Sequence, residues 1–199
     1  MTDSIIYHEG NRRLQDQFDS RRISDRLEKF TRTQFTPDRA FIESVPYFFL
    51  ATADAEGRPD CSFKGGMPGF VAITGPSEPA FPDYDGNGMF KSLGNILVNV
   101  EVGMLFIAMH GKPQRLRVNG TATVSREDPL LAQTVGAQLI VRVTARAIFP
   151  NCPRYIPTMQ LIDPSIYAPR SGCDPPEPAW KDFADFKDCL HPRQPTFKG

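Results

Sequence analysis

The chain has 199 residues, enough for one domain with its own hydrophobic core and short extensions. Lysine plus arginine and aspartate plus glutamate each total 23, so the formal net charge is zero and no overall field attracts nucleic acid or an acidic membrane. The four cysteines show no CxxC spacing and the three histidines lie far apart, which argues against a zinc site.

The N-terminal segment is polar and charged and lacks the apolar core of a signal peptide, and no apolar run approaches the length of a membrane span. The sequence therefore predicts a cytoplasmic protein with reduced thiols. Residues 1–45 are predicted to form helices that pack on the domain that follows. The helix over residues 37–44 should end before Pro46.

Three predicted strands follow these helices. Residues 47–52 and 59–64 form a hairpin around the turn of residues 54–57, and residues 70–74 form the third strand. In the second strand, the two-residue period places Ser62 and Lys64 on one face and Cys61 and Phe63 on the other. Lys64 therefore points to the same side as Ser62.

The stretch PDYDGNG is a turn, and a helix is predicted from Met89 onward. Its apolar positions recur every three or four residues, which places them on one face: Phe90, Leu93, Ile96, Leu97 and Val100. Lys91 and Ser92 lie in the first turn, where free N–H groups attract anions, so a phosphate would fit. The alternative is an ordinary turn followed by a solvated lysine. Neither a P-loop nor a dinucleotide fingerprint matches.

The last three predicted strands cover residues 102–109, 114–124 and 139–147. The first is apolar apart from Gly103, which is typical of a strand buried on both faces. The second places Arg115 and Arg117 on one face. Residues 151–160 favour a short helix, and from residue 163 a proline-rich arm ends in a short helix over residues 182–188. Six strands with short turns and peripheral helices indicate a mainly β protein, a small antiparallel barrel.

Three motifs occur in order along the chain: FFLATADAEGRPDCSFKGG, then PDYDGN followed by KSLGNILVNVEVGMLFI, then RLRVNGTATV. Together they resemble the pyridoxamine 5'-phosphate oxidase-like family of FMN-binding split barrels. The resemblance covers residues 45–157 and is strongest to a subgroup of flavin-nucleotide-binding proteins. It implies a six-stranded antiparallel Greek-key split barrel over residues 46–162, between the N-terminal helices and a C-terminal arm of residues 163–199. It also implies a homodimer with FMN sites at the interface.

The resemblance assigns FMN contacts to five positions. Lys64 matches the basic residue that ends the second strand and approaches the FMN phosphate. Asp83 and Tyr84 match a strand-end pair that contacts the flavin or its phosphate. Lys91 and Ser92 match the pair at the start of the inserted helix, the main phosphate clamp of the family. Several converging donors are what a phosphate dianion requires.

Five further positions are candidate cofactor contacts. Arg115 matches a polar residue that reaches the isoalloxazine ring, with Arg117 near it, although a strand face charged for solubility is an equal alternative. Ser62 shares the face of the strand-end lysine, and Asn95 lies one helical turn into the inserted helix. Trp180 is hypothesised to close over the flavin, whereas an arm pinned to its own barrel is the alternative.

The expected function is an FMN-dependent oxidoreductase that acts on an unknown small molecule by hydride transfer at flavin N5, with no catalytic side chain assigned. A non-catalytic flavin carrier or sensor, or a barrel that binds haem or deazaflavin instead, is the alternative. True pyridoxine-phosphate oxidase activity is not expected, because the C-terminal Arg and His constellation of those enzymes cannot be placed in this sequence. The segment of His191, Pro192 and Arg193 is only a poor match to that constellation.

Overall fold

The structure, a computed structural model, describes residues 4–190. The four α-helices are α1 (Glu9–Gln17), α2 (Arg21–Glu28), α3 (Arg39–Ser44) and α4 (Lys91–Val98). The seven strands are β1 (Tyr47–Ala53), β2 (Pro59–Gly65), β3 (Ala72–Gly75), β4 (Glu78–Tyr84), β5 (Glu101–Ala108), β6 (Gln114–Ser125) and β7 (Ala137–Pro150). Two short 3-10 helices span Pro129–Gln133 and Ala179–Asp182.

The strands form one antiparallel sheet in the order β2-β1-β5-β6-β7-β4-β3. The prediction of a mainly β fold with peripheral helices is confirmed. The prediction of six strands is wrong, because the sheet has seven strands and its two edges, β2 and β3, are not hydrogen-bonded to each other.

The strand that the sequence pattern missed is β4. It contains Pro79 and Pro82, which argue against a strand because proline has no N–H to donate to a ladder. Pro79 pairs only with β3 and Pro82 pairs only with β7. Each proline therefore lies where β4 is bonded on a single side, and the missing N–H can be accommodated there.

The sheet curls around an aromatic core. The Phe48 ring on β1 lies 4.9 Å from the Phe81 ring on β4, 5.2 Å from the Phe106 ring on β5 and 5.9 Å from the Phe70 ring, measured between centroids. Three strands separate β1 from β4 in the sheet order. Contact between their side chains therefore requires the sheet to bend back toward itself, which brings the ends of β2 and β4 close together.

The outer face of β2, β1 and β5 is apolar and partly exposed. Phe49 on β1 pairs with Phe63 on β2 and with Leu105 on β5, so these three side chains form a row across the sheet. Phe63 is 62% exposed. The prediction that β5 is buried on both faces is therefore wrong for the single chain, since Leu105 and Ile107 are only half-buried.

The helices differ from prediction in two ways. α4 begins at Lys91 and not at Met89 as predicted, and only Leu93 and Ile96 of its predicted apolar face are buried. The predicted short helix over residues 151–160 is absent, since this segment is irregular apart from one turn. The predicted helix over residues 182–188 is also absent, and a run of turns follows the 3-10 helix Ala179–Asp182 there. No helix within residues 4–190 combines the length and the apolar character needed to cross a membrane.

Candidate functional site

A cleft of about 470 Å³ opens where the end of β2, the end of β4 and the start of α4 meet. Six of the ten predicted site residues line it: Ser62, Lys64, Asp83, Tyr84, Lys91 and Ser92. They come from three elements that are separated in sequence, so the curled sheet is what brings them together. The two lysines in particular share one cleft.

The start of α4 presents backbone donors to this cleft. Phe90 precedes the helix in a left-handed conformation, with φ 47°, and no side chain caps the first turn. The first helical hydrogen bond runs from the N–H of Gly94 to the carbonyl oxygen of Phe90, at 2.7 Å. The N–H groups ahead of Gly94 have no partner within the helix and are available to an anion.

Ser92 connects α4 to β2. Its hydroxyl lies 2.8 Å from the hydroxyl of Ser62 and donates to an Asp60 carboxylate oxygen at 3.5 Å. Ser92 is buried, so these contacts fix the start of the helix against the strand that carries Lys64. A hydroxyl pair of this kind can reorient and donate to a bound ligand.

The end of β4 contributes two groups whose pKa values are shifted. The Gln138 amide donates to the Asp83 carboxylate at 2.8 Å and to the Tyr84 carbonyl at 3.1 Å. Burial raises the pKa of Asp83, while the Gln138 hydrogen bond and the positive charge of Lys64 oppose that rise. Burial raises the pKa of Tyr84 to about 12, so its phenol stays a neutral donor.

The shifted carboxyl group predicts that Asp83→Asn stabilises the protein. The pKa of Asp83 is higher in the folded state, so the folded state binds the proton more tightly than the unfolded state does. Stability therefore falls as the pH rises from the ordinary aspartate pKa through the raised pKa of the folded state. Asparagine keeps an acceptor for Gln138 and removes the buried charge. Thermal unfolding followed by circular dichroism should give a higher Tm than wild type at neutral pH. The difference should vanish below the ordinary aspartate pKa.

A lower Tm for this variant at neutral pH, or a difference that does not change with pH, would contradict the assigned role of burial. Asp60→Asn is the matched control, since Asp60 lines the same cleft.

Four predicted site residues do not line the cleft. The buried Asn95 amide donates to the Thr52 hydroxyl at 3.0 Å, so it fastens α4 to β1. Arg115 donates to the Cys152 carbonyl at 2.8 Å, and Arg117 is exposed on the outer face of the sheet. Trp180 makes an edge contact with Phe186 instead, at 5.8 Å between ring centroids. The segment of residues 191–193 lies outside the described residues.

The arm nevertheless reaches the edge of the cleft. Lys181, which follows Trp180, forms a 2.7 Å ion pair with Asp85 in the turn after β4. Lys181 also forms an ion pair with Glu177 at 3.0 Å. The arm is therefore attached to the loop that forms one wall of the site.

Several cleft residues were missed by the sequence reasoning. Asp60 could have been found, because it shares the two-residue period of Ser62 and Lys64. Gln138 could not, because it lies on β7, 55 residues from the carboxylate that it contacts. Phe63 was assigned to the opposite face of β2, yet its exposed ring borders the cleft as well.

The donors in the cleft suit a phosphate ester. Two lysines supply positive charge, two hydroxyls and a helix start supply neutral donors, and all of them line the same cleft. Among the described residues that line the cleft, none is a histidine or a cysteine. The cleft volume of about 470 Å³ lies within the usual range of small-molecule sites, so a nucleotide-sized ligand can be accommodated.

Comparison with known proteins identifies a family. The family described as pyridoxamine 5'-phosphate oxidase matches residues 38–163, which is more than half of the chain. None of the curated proteins matches.

Several solved structures resemble part of the chain. HupZ from Group A Streptococcus is 16% identical with a TM-score of 0.45 and covers 58% of this chain and 92% of its own. A candidate pyridoxamine 5'-phosphate oxidase from Lactobacillus delbrueckii is 22% identical with a TM-score of 0.46, and the match covers 59% of this chain and 95% of that protein. HutZ, a haem storage protein from Vibrio cholerae, is 17% identical with a TM-score of 0.44, and the match covers 59% of this chain and 94% of HutZ. These TM-scores are low, so the assignment rests on the family match.

Proposed function

The chain belongs to the pyridoxamine 5'-phosphate oxidase family, and from that membership we propose that it binds FMN and acts as a flavin-dependent oxidoreductase on a small molecule. The observation that supports this proposal is the convergence of Lys64, Lys91 and the uncapped start of α4 in one cleft. An FMN phosphate would carry up to two negative charges, and the two lysines would balance them.

Each lysine is held by a different element. Lys64 lies at the end of β2, which Ser62 connects to α4, and Lys91 is the first residue of α4 itself. A phosphate between them would also accept from the first-turn N–H groups, where the helix dipole favours an anion. These residues would hold the phosphate end, and the rest of the cleft would orient the ring.

The donor set favours a phosphate ester over haem iron. Haem is held by His, Cys, Met or Tyr side chains, and the described cleft residues offer only Met89 and Tyr84 of these. Ligation by Tyr84 would require a phenolate, whereas burial raises its pKa to about 12. Met89 is 70% exposed and lies in a loop. FMN is therefore the cofactor that the site supports best.

A bound flavin would accept or donate hydride at N5, which is chemistry that needs no side-chain nucleophile. The contribution of the chain would be to bind the phosphate, to position the ring and to exclude water. The same site without turnover would make the protein a flavin carrier or sensor, which is the remaining candidate function.

A titration with FMN and with riboflavin tests the proposed cofactor. Riboflavin has the same ring and lacks the phosphate, so the apoprotein should bind FMN more tightly by about a hundredfold or more. Equal affinity for the two flavins would contradict the proposed phosphate site. Reduction of the FMN complex by NADPH followed by reoxidation in air would then favour an enzyme over a carrier.

We also propose a homodimer in which the apolar outer face of β2, β1 and β5 is covered by a second copy. This face exposes Phe63 and half-exposes Phe49 and Leu105 in one row. Contiguous apolar surface of this kind marks an interaction site. Phe63 also lines the cleft, so a second copy on this face would border the phosphate site and could carry its Arg117 toward it.

The dimer proposal predicts that Phe63→Asp gives a monomer. A carboxylate at the β2 end of the apolar row would have to be buried without a partner, so the dimer dissociation constant should rise by about tenfold or more. Sedimentation velocity at matched protein concentrations measures this change. Phe183→Asp, at a residue that is 56% exposed on the arm, should leave the dimer intact. A wild-type monomer, or an unchanged dimer in the Phe63→Asp variant, would contradict the proposal.

A further inference from the structure

A second pocket adjoins the phosphate cleft. Its volume is about 270 Å³, and it shares three wall residues with the cleft: Phe70, Pro82 and Tyr84. The rest of its lining comes from the loop between β2 and β3, from β3, β4 and β7, from the segment between β6 and β7 and from the C-terminal arm. The function proposed above, which concerns the phosphate cleft, does not use this pocket.

The walls of this second pocket are mostly apolar. Buried or half-buried side chains make up most of its surface, namely Met67, Ala80, Phe81, Leu130, Val135 and Ile140. The volume is slightly below the usual range for drug-sized ligands, which suits a molecule of one ring or a short chain. An apolar body of that size would fill the pocket and displace water from its walls.

One positive charge lies at this apolar pocket. Among the described residues that line it, Arg170 is the one charged residue, and no carboxylate is present. The Thr134 hydroxyl is already engaged, since it donates to the Leu130 carbonyl at 2.8 Å. Gln133 and the neutral phenol of Tyr84 are the remaining polar side chains. A half-buried arginine in a pocket whose described lining holds no carboxylate is a binding group for an anion.

The segment that carries Arg170 is fixed in place. Gly136 has φ +75°, and a Cβ at this position would lie 2.6 Å from the Cβ of Pro169. Glycine thus permits both the local conformation and the close approach of the arm. Ala168 is buried, and Arg170 pairs with Cys173 in an isolated bridge. The arginine is therefore held at the pocket by a segment that packs closely against the residues around it.

We propose that this second pocket binds a small, mainly apolar carboxylic acid, with its ring or chain against the apolar walls and its carboxylate on Arg170. Binding of the acid does not depend on the phosphate cleft or on flavin. If FMN occupies that cleft, the acid lies beside it across the shared wall of Phe70, Pro82 and Tyr84.

Benzoate and benzamide are a matched pair of probes, because they share a ring and differ in charge. Each is titrated into isotopically labelled protein without flavin, and amide chemical shifts are followed by NMR. Benzoate should give saturable shifts at Ala72, Ala80 and Thr134, which line the pocket. Benzamide should bind about tenfold more weakly. No saturable shift with benzoate, or equal binding of both probes, would overturn the proposal.

Variants identify the residue that carries the charge. Arg170→Gln should lower benzoate affinity by about tenfold and leave benzamide affinity unchanged, while Arg170→Lys should retain most of the benzoate affinity. Arg154→Gln is the control, since Arg154 is exposed on the segment after β7 and lies outside the pocket. Unchanged benzoate binding in Arg170→Gln would overturn the assignment. Unchanged benzamide binding shows that the variant is folded.

The wild-type FMN titration separates this proposal from the proposed cofactor. Benzoate binding without FMN binding would support the acid pocket and contradict the flavin site. FMN binding without benzoate binding would support the flavin site and contradict the acid pocket.

Gln133→Trp places an indole at the rim of the second pocket, since Gln133 is exposed there. This variant should block both probes and leave FMN affinity unchanged. Unhindered benzoate binding in Gln133→Trp would place the acid elsewhere.

Discussion

Replacement of Lys64 and Lys91 together by glutamine is expected to weaken FMN binding by about a hundredfold or more and to leave riboflavin binding unchanged. Each lysine would make a charge-assisted hydrogen bond to the phosphate, and one such bond contributes on the order of 1.5–3 kcal/mol. Riboflavin has no phosphate and would lose nothing. Quenching of flavin fluorescence on binding measures both affinities in the same buffer.

The matched control replaces two exposed lysines, Lys29 and Lys112, by glutamine, which changes the net charge by the same amount. FMN affinity should stay at the wild-type value, because neither residue lines the cleft. An equal loss of riboflavin binding in the Lys64 and Lys91 variant would show damage to the wall of the cleft instead. No loss of FMN binding would place the phosphate elsewhere.

Gly120→Ala is expected to destabilise the fold by about 3 kcal/mol and to lower the Tm by roughly 10 °C. The register between β6 and β7 shifts between Asn119 and Gly120, so the two backbones approach closely there. A Cβ at Gly120 would lie 2.1 Å from the carbonyl oxygen of Thr144. The obstacle is backbone, which cannot rotate away, and β7 could move only by breaking its pairs with β6.

Gly94→Ala is the matched control for this substitution. Gly94 lies inside α4, and a Cβ there would meet nothing within 4 Å. Alanine should therefore stabilise the helix by about 0.5–1 kcal/mol. Chemical denaturation of both variants measures the contrast. Equal unfolding midpoints for Gly120→Ala and wild type would contradict the close approach of β6 and β7.

Local sequence patterns were sufficient for much of the site. Alternation placed Ser62 and Lys64 on one face of a strand, and the turn before α4 placed Lys91 and Ser92 in the first turn of a helix, although the predicted start was Met89. Both signals depend only on neighbouring residues. The family motifs then related Lys64 to Lys91, which periodicity alone cannot do, because nothing local says how far the sheet curls.

Contacts between distant elements could not be predicted from the same patterns. Helical period places Asn95 one turn after Lys91, facing the same cleft or solvent. The structure instead buries it, and only the fold shows that Thr52 is its partner. Alternation gave the face of Arg115 correctly but not its hydrogen bond to the Cys152 carbonyl. A period specifies which side of an element a residue occupies, and the tertiary fold determines what it meets there.

The apolar pattern of β5 shows a related limit. A continuous apolar run predicts cover on both faces, whereas the single chain buries Val102, Met104 and Phe106 and leaves Leu105 half-exposed. The pattern reports how much apolar surface a strand carries, and it does not say which molecule covers it. The proposed second copy would supply the missing cover.

The chromophore of the freshly purified protein shows whether the cleft holds FMN. The visible spectrum is recorded first, and the ligand is then released by heat and identified by chromatography against FMN and riboflavin. We expect flavin absorption bands and FMN as the released compound. A Soret band from haem, or a protein that stays colourless after incubation with FMN, would contradict this expectation.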